Sequence, residues 1–392
     1  MTAHPLDRLR RPGPRTVAGL MSGTSLDGVD AAVVRVEGSA SDDTLAVETL
    51  GFVSRPYEPE LRRALGACVE TATSNVRLVS QLHSRLGDVF ADAVEGSLAE
   101  AGLDRGALDL VGSHGQTVQH VPTAEEVAGV LTRSTLQVGS PAVLATALGA
   151  PVVSDFRAGD LALGGQAAPL APYLDGALFT DEREARVLLN LGGIANLTVV
   201  PPGGPPRAAF DTGPANMVVD ALALRLTGRP YDADGALAAR GTPDEALLAD
   251  VLTAPFFVQP PPKSTGREDF GTPFVEWLVA RGPSDPADLL ATATAFTARS
   301  VAEAVARFVD PAPARVIASG GGVHNPTLMR MLADALAPTP LETTAAHGLD
   351  PDAKEAVLFA VLAHEWANGV RTGLPDVTGA SAAAFQGSLT LP

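Results

Sequence analysis

The run over residues 19–32, GLMSGTSLDGVDAA, gathers glycine, hydroxyl and carboxylate groups into one turn. Ser22, Gly23, Thr24 and Ser25 fill it, Asp27 and Asp30 flank it, and the apolar Ala31, Ala32, Val33 and Val34 follow. Such a loop can approach a polyphosphate closely, because glycine adds no side chain and successive backbone N–H groups converge on an anion. Asp27 or Asp30 would then hold Mg²⁺ directly or through water. The same residues also make an ordinary hairpin, in which Asp-Gly is a common turn pair. On this segment alone the two readings stand level.

Positioning such a loop takes a strand on each side, and Thr16-Val17-Ala18-Gly19-Leu20 before it and residues 31–36 after it supply them. Further strands are expected over 45–56, 108–113, 151–154, 187–191, 197–200, 207–210 and 315–319. Helices are expected over 59–70, 76–101, 214–227, 289–308 and 325–336. This alternation predicts α/β layers around mixed sheets. Residues 187–198, VLLNLGGIANLT, repeat the layout of strand, glycine turn and strand, so two similar lobes are expected, each with a phosphate hairpin at a shared cleft. A third turn, Ser319-Gly320-Gly321-Gly322-Val323-His324-Asn325, follows a strand and precedes a helix, which suits an adenosine or phosphate contact. The boundary is placed near residues 181–185, giving lobes 16–185 and 186–392.

The formal net charge of −17 argues against a sequence-independent nucleic-acid surface. It does not argue against a nucleotide, which loops and helix N-termini bind locally. One cysteine, Cys68, leaves no internal disulfide and no multi-cysteine metal site, and its apolar surroundings mark it as a small buried hydrophobe. No segment is long and apolar enough to span a membrane, and no signal peptide is evident, so a cytoplasmic protein is expected. Residues 1–15, with Arg8, Arg10, Arg11, Pro12 and Pro14, read as a loose tail.

Taken in order, the motifs resemble the anhydro-N-acetylmuramic acid kinases, a family within the actin, sugar-kinase and heat-shock ATPase superfamily. The matching stretches are GLMSGTSLDGVDAA, Gly112-Ser113-His114-Gly115-Gln116-Thr117-Val118, Asp155-Phe156-Arg157 with Gly164-Gly165-Gln166, and NLGGIANLT. Phe210-Asp211-Thr212-Gly213-Pro214-Ala215-Asn216, Pro262-Lys263-Ser264-Thr265-Gly266-Arg267-Glu268, the ASGGGVHNP turn and Pro375-Asp376-Val377-Thr378-Gly379-Ala380 complete the set. Ala167 and Ala215 stand where the family pattern has glycine, a change that is tolerated where φ is negative.

The resemblance implies two actin-like, ribonuclease H-like lobes with mixed sheets around a central nucleotide and sugar cleft. It also implies an ATP- and Mg²⁺-dependent enzyme that opens a 1,6-anhydro sugar with water and phosphorylates the freed 6-oxygen. Nucleotide contacts then fall on Gly23, Thr24, Ser25, Leu26, Asp27, Gly28, Val29 and Asp30, on Gly192, Gly193 and Asn196, and on Gly320, Gly321, Gly322 and Asn325, with Asp27 toward the metal. A homodimer is implied, although the residues show no interface signature.

Ring opening needs a general base for water, and the leaving oxygen can itself attack the γ-phosphorus, so one carboxylate suffices. Asp211 is the candidate, at the end of a strand-like run; a helix N-cap is its plainer role. Asp155 and Arg157 are expected to organise the sugar pocket, with Arg157 pairing a lactyl carboxylate. Their plainer role is a structural ion pair. His114 and Gln116 are expected to meet sugar hydroxyls, although a lone histidine is more often structural. The family pattern places Glu355 near the sugar, against a plain helix-start charge. Lys263, Arg267 and Glu268 form a polar cluster that either shapes the cleft or is a solvated loop. Two other readings stand beside this one. The first is a kinase of 1,6-anhydroglucose, for which no carboxylate pocket at Arg157 would be needed. The second is a nucleotide-gated binding module without turnover, against which Asp211 argues.

Overall fold

The structure is a computed structural model that describes residues 13–392 together with Leu6 and Leu9. The tail residues Arg8, Arg10, Arg11 and Pro12 lie outside the described residues. The chain divides into two compact units: one runs up to Leu178 and resumes over Ala353–Pro392, and the other is Phe179–Asp352.

In the first unit β1 (Arg15–Ser22), β2 (Gly28–Glu37) and β3 (Ala46–Pro56) form an antiparallel meander. β4 (Leu110–Val127) joins parallel to β1, and β6 (Val152–Ser154) joins parallel to β4. β5 (Val130–Val138) folds back on β4. The second unit repeats the plan. β7 (Arg186–Leu191), β8 (Ile194–Val200) and β9 (Ala208–Pro214) form the meander. β10 (Arg315–Ser319) and β11 (Leu341–Thr343) extend it in parallel from β7. The order β9-β8-β7-β10-β11 thus matches β3-β2-β1-β4-β6, and the far edge of the first sheet is closed by β12 (Ser388–Thr390).

The longer helices are α1 (Pro59–Val69), α2 (Val76–Glu100), α3 (Pro141–Leu148), α4 (Ala171–Phe179), α5 (Asn216–Thr227), α6 (Thr272–Arg281), α7 (Pro286–Phe308), α8 (Pro326–Leu336) and α9 (Lys354–Ala367). Asn75 caps α2 through the Leu78 N–H, and Asp285 caps α7 through the Ala287 N–H, each satisfying a donor that the first helical turn leaves open.

Ala31, Ala32, Val33 and Val34 of β2 are all fully buried, so the sheet needs cover on both faces. On one face Ala18, Leu20, Ala31 and Val33 pack with Leu65, Leu86, Phe90, Val94 and Leu144. On the other lies α9, buried without a break from Ala356 to Glu365. Gly19 and Gly112, paired in register, make this possible. A Cβ on Gly19 would lie 1.9 Å from the Ala356 carbonyl oxygen, and one on Gly112 would lie 2.0 Å from that of Phe359. The lobe expected over 186–392 is therefore corrected: α9 and the segment after it belong with the first sheet, because two strand glycines admit that helix backbone. In the second unit Val187, Leu189, Leu197 and Phe210 pack against Val301, Val305, Leu328 and Leu332. A further cluster around Phe257, Phe270 and Phe296 joins α5, α6 and α7.

Candidate active site

The turn joining β1 to β2 is held from below by side chains. Ser22 Oγ lies 2.5 Å from Tyr57 Oη and donates to Gln116 Oε1 at 2.6 Å. Gln116 Nε2 donates to Gly23 O at 2.8 Å and to Thr117 O at 3.2 Å. Burial pushes the Tyr57 hydroxyl far above its usual range, so it stays a neutral donor. Both donors of the Gln116 amide are spent on backbone carbonyls, and the side chain is fully buried. The expectation that Gln116 meets sugar hydroxyls is thereby corrected: it braces the loop. Above this brace Thr24, Ser25 and Asp27 are exposed, and a Cβ on Gly23 would meet nothing closer than 3.7 Å. Leu26 sits at φ 57°, and Ser25 Oγ donates to Asp27 Oδ1 at 2.6 Å. Gly28 and Val29 do other work: a Cβ on Gly28 would strike Arg55 O at 2.4 Å, and Val29 belongs to the core. Asp30 lies close enough to Glu355 to raise that carboxyl.

His114 continues β4 beyond its expected end and is 3% exposed. Its Nδ1 donates to Gly115 O at 2.8 Å, and its Nε2 accepts from Arg157 Nε at 3.0 Å. Burial and then the Arg157 charge push its pKa down to about 3, so the ring is neutral, as this pattern of donor and acceptor requires. With both nitrogens engaged, His114 is corrected from sugar ligand to a support for Arg157. Arg157 Nη1 donates to Ala167 O at 2.5 Å, and Nη2 has no partner among the described residues. Burial lowers its pKa to about 10, opposed by Glu355, and the group stays cationic at neutral pH. Asp155, at φ 60° and exposed, makes no ion pair with Arg157 among the described residues. Glu355, the second residue of α9, is reached by solvent, yet the protein around it and Asp30 raise its carboxyl, while Lys354 and Arg157 pull it down.

In the second unit the β7–β8 turn presents Gly192 and Gly193. Their carbonyls accept from the amides of Asn216 at 3.1 Å and Ala215 at 2.9 Å, which ties the start of α5 to the turn. The third turn leans on the same place. A Cβ on Gly320, at φ 82°, would lie 2.6 Å from Asn190 Oδ1, and one on Gly322 would lie 2.6 Å from Leu191 Cβ. Gly321 has open space. Gly320 and Gly322 are thus glycine for packing, and Gly321 is the one open to a ligand. Asn325 is the N-cap of α8, its Oδ1 accepting from the Leu328 N–H at 3.0 Å.

Asp211 lies inside β9, in register with Asn196 across β8. Its neighbours Phe210 and Thr212 are buried, so strand alternation sends Asp211 to the opposite side. There its Oδ2 accepts from the Thr265 N–H at 2.9 Å, and its own amide donates to Lys263 O at 3.1 Å. Burial pushes its pKa up to about 6, against the pull of the Thr265 amide; Glu268 adds to the rise and Lys263 opposes it. The N-cap role falls away, because α5 begins at Asn216 and its N-cap is Ala215. Lys263 is 8% exposed, with Nζ donating to Phe256 O at 2.9 Å and lying over the Phe256 and Phe308 rings. It is neither a solvated loop charge nor a free cleft cation.

Two polar residues escaped the motif reading. Asp160, fully buried, takes the Thr378 hydroxyl at 2.8 Å and the Ala167 N–H at 2.7 Å, and so fixes the carbonyl that Arg157 grips. Asp220, one turn along α5 from Asn216, is partly buried and pushed up to about 6 by that burial. Only an i,i+4 reading of α5 would have singled it out. Among the described residues no group of three or more His, Cys, Asp or Glu side chains could hold a metal ion. An Mg²⁺ that arrives on phosphate oxygens asks for only one or two protein carboxylates, and at this turn Asp27 is the exposed one.

Two sheets of one topology, each with a glycine turn at its meander, define an α/β protein of the actin-like ATPase and sugar-kinase class. The sequence pattern of the family described as anhydro-N-acetylmuramic acid kinase matches residues 15–392. The chain is 55% identical over 391 residues to the kinase of that name from Salinibacter ruber, covering 98% of each. It is 43% identical to the one from Caldanaerobacter subterraneus, over 98% of this chain and all of the other. Among solved structures, the activator of 2-hydroxyisocaproyl-CoA dehydratase from Clostridium difficile with bound ADPNP aligns over 90% of this chain and 96% of that one, at 12% identity and a TM-score of 0.45. The chain belongs to the anhydro-N-acetylmuramic acid kinase family.

Proposed function

We propose that this chain opens 1,6-anhydro-N-acetylmuramic acid with water and transfers the γ-phosphoryl of ATP to the freed 6-oxygen, giving N-acetylmuramic acid 6-phosphate and ADP for the recycling of cell-wall sugars. Asp211 carries the reading. A carboxylate lifted to about 6 and held by one amide is ionised at neutral pH yet basic enough to take a proton in the transition state. Asp211 accepts one proton of the water as its oxygen bonds to the anomeric carbon. The bond from that carbon to O6 breaks, and the O6 electron pair forms the new bond to phosphorus as the bond to ADP breaks. Asp211 then returns the proton to solvent. Exposed Thr24, Ser25 and the Gly23 backbone suit the phosphates, with Gly193 and Gly321 as the open glycines of the second unit. Mg²⁺ on the nucleotide, next to Asp27, would neutralise phosphate charge.

Arg157 Nη2 is assigned to the lactyl carboxylate, and this favours the muramic sugar over 1,6-anhydroglucose, which lacks that group. The relatives carry the muramic name as well. A cytoplasmic homodimer is the setting that the family resemblance suggests; no helix among the described residues is long and apolar enough to cross a membrane. The test is ADP release with Mg²⁺-ATP and each of the two sugars, with products weighed by mass spectrometry. A product that has gained both water and a phosphoryl group, from the muramic sugar only, is expected. Turnover on anhydroglucose alone would transfer the reading to that sugar, and ATP binding with no sugar-dependent turnover would end it.

A further inference from the structure

The chain leaves the first unit after Leu178 and returns to it at Ala353. Just inside each point stands one partner of a buried ion pair. Asp175 on α4 is 2% exposed and Lys354 at the start of α9 is 7% exposed, with Nζ 2.6 Å from Oδ1. Every other ion pair among the described residues leaves both side chains at least 15% exposed. The approach is a close charge contact without hydrogen-bond alignment at Oδ1. A buried pair of this kind is seldom the most stable choice, since an apolar pair of similar volume often serves as well. α9 is already seated by its backbone against Gly19 and Gly112. That seat reaches back to Ala356 and leaves the first two residues of the helix to other contacts: the N-cap is Ala353, with no side-chain cap hydrogen bond. Lys354 points inward there, and Glu355, roughly 100° further round the helix, points outward beside Arg157 and Asp30.

We propose that Asp175 and Lys354 are a positioning pair: by clamping the first turn of α9 they aim the Glu355 carboxylate at the sugar. The inference rests on the proposed function, with Glu355 taken into its sugar site as the family resemblance implies, beside the Arg157 assigned there to the lactyl carboxylate.

The test uses the full chain and three variants: the apolar pair Lys354→Met with Asp175→Leu, Glu355→Gln, and their combination. The pair variant removes both charges together, so no lone charge is left buried. The amide pair Lys354→Gln with Asp175→Asn carries the same test at nearly unchanged volume should the apolar pair fail to refold. The pair variant is expected to melt within a few degrees of the parent. Its kcat/KM for the sugar should fall at least tenfold, mostly through KM, while KM for ATP stays within twofold. Added to Glu355→Gln, the pair substitution should cost less than twofold more, because both act through one carboxylate. Losses that multiply in the combined variant mean a general structural role and overturn the inference. So does a pair variant with the parent's kcat/KM beside a damaged Glu355→Gln, in which case the reading of Glu355 survives. If Glu355→Gln itself turns over normally, that reading falls and the inference with it.

Discussion

Asp211→Asn should leave the protein more stable and inactive, and both effects can be sized from the site. The side chain keeps its shape, and its oxygen can still accept from the Thr265 N–H. What is lost is a charge held where charge is costly. Raising the folded-state pKa from 3.8 to about 6 corresponds to about 3 kcal/mol, at about 1.4 kcal/mol per unit. The folded pKa lies above the unfolded one, so the folded protein binds more protons between them. Stability is therefore lost as pH rises through about 4 to about 6, and the full penalty stands above that window. Asn removes the penalty. Its advantage over Asp should be about 1.6 kcal/mol at pH 5 and about 3 kcal/mol at pH 8. Parallel urea titrations of parent and variant across this range read the difference. Sugar-dependent ADP release should fall by about 10²–10⁴-fold if Asp211 is the general base. In the parent, kcat/KM should decline below about pH 6 as Asp211 takes up its proton. A variant no more stable at pH 8 than at pH 5 would refute the burial argument, and normal turnover would refute the base.

Three other substitutions probe the scaffold. Ala167 sits at φ 56°, so Ala167→Gly should relieve roughly 1–2 kcal/mol of strain against roughly 0.4–1 kcal/mol of added chain entropy, a small net gain visible in a thermal melt. Gly112→Ala places a methyl 2.0 Å from the Phe359 carbonyl oxygen and should destabilise by about 3 kcal/mol or more, read as a loss of soluble, cooperatively melting protein. His114→Ala frees Arg157 Nε while leaving its charge, so KM for the sugar should rise several-fold with kcat little changed; an unaltered KM would mean that Arg157 does not hold the sugar.

Much of the scaffold was legible because its elements are buried. The run 315–319 reads as a strand and is one, since Val316, Ile317 and Ala318 are fully buried and apolar. β4 was expected to stop at Ser113 and instead continues to Val127, where it pairs with β5, a strand that no periodicity announced. Those residues are polar or exposed, with Val127, Val130 and Leu131 all facing solvent, and the turn between them uses Ala128 at φ 51° in place of a telltale Asn or Asp. The return of α9 to the first sheet was hidden for another reason: chain order says nothing of it. Its signal lay in Gly19 and Gly112, glycines inside two expected strands, which are the seat of a helix. Ala215 fits the rule drawn from the sequence, at φ −120°, whereas Ala167 breaks it.

The two glycine turns share a topology but are held by different means, and this explains why only one of them carries so dense a motif. In the first unit the turn rests on side chains, Ser22, Tyr57 and Gln116, whose hydrogen bonds fix residue types at three distant positions. In the second unit the turn rests mainly on backbone: Gly192 and Gly193 carbonyls take the amides that open α5, and Asn216 Nδ2 adds one side-chain bond, to Leu191 O at 3.2 Å. A backbone brace needs only that nothing protrude, so its sequence trace is glycine and little else. The same contrast orders the active-site residues. Gln116 and His114 looked like ligands because they are polar and stand in glycine-rich turns, yet both have their donors and acceptors consumed within their own unit. Arg157 and Asp211 keep a nitrogen and an oxygen in reserve beyond the bonds that orient them. A polar side chain oriented by the fold but not exhausted by it is free to meet a substrate, and that property is what the roles proposed for Asp211 and Arg157 rest on.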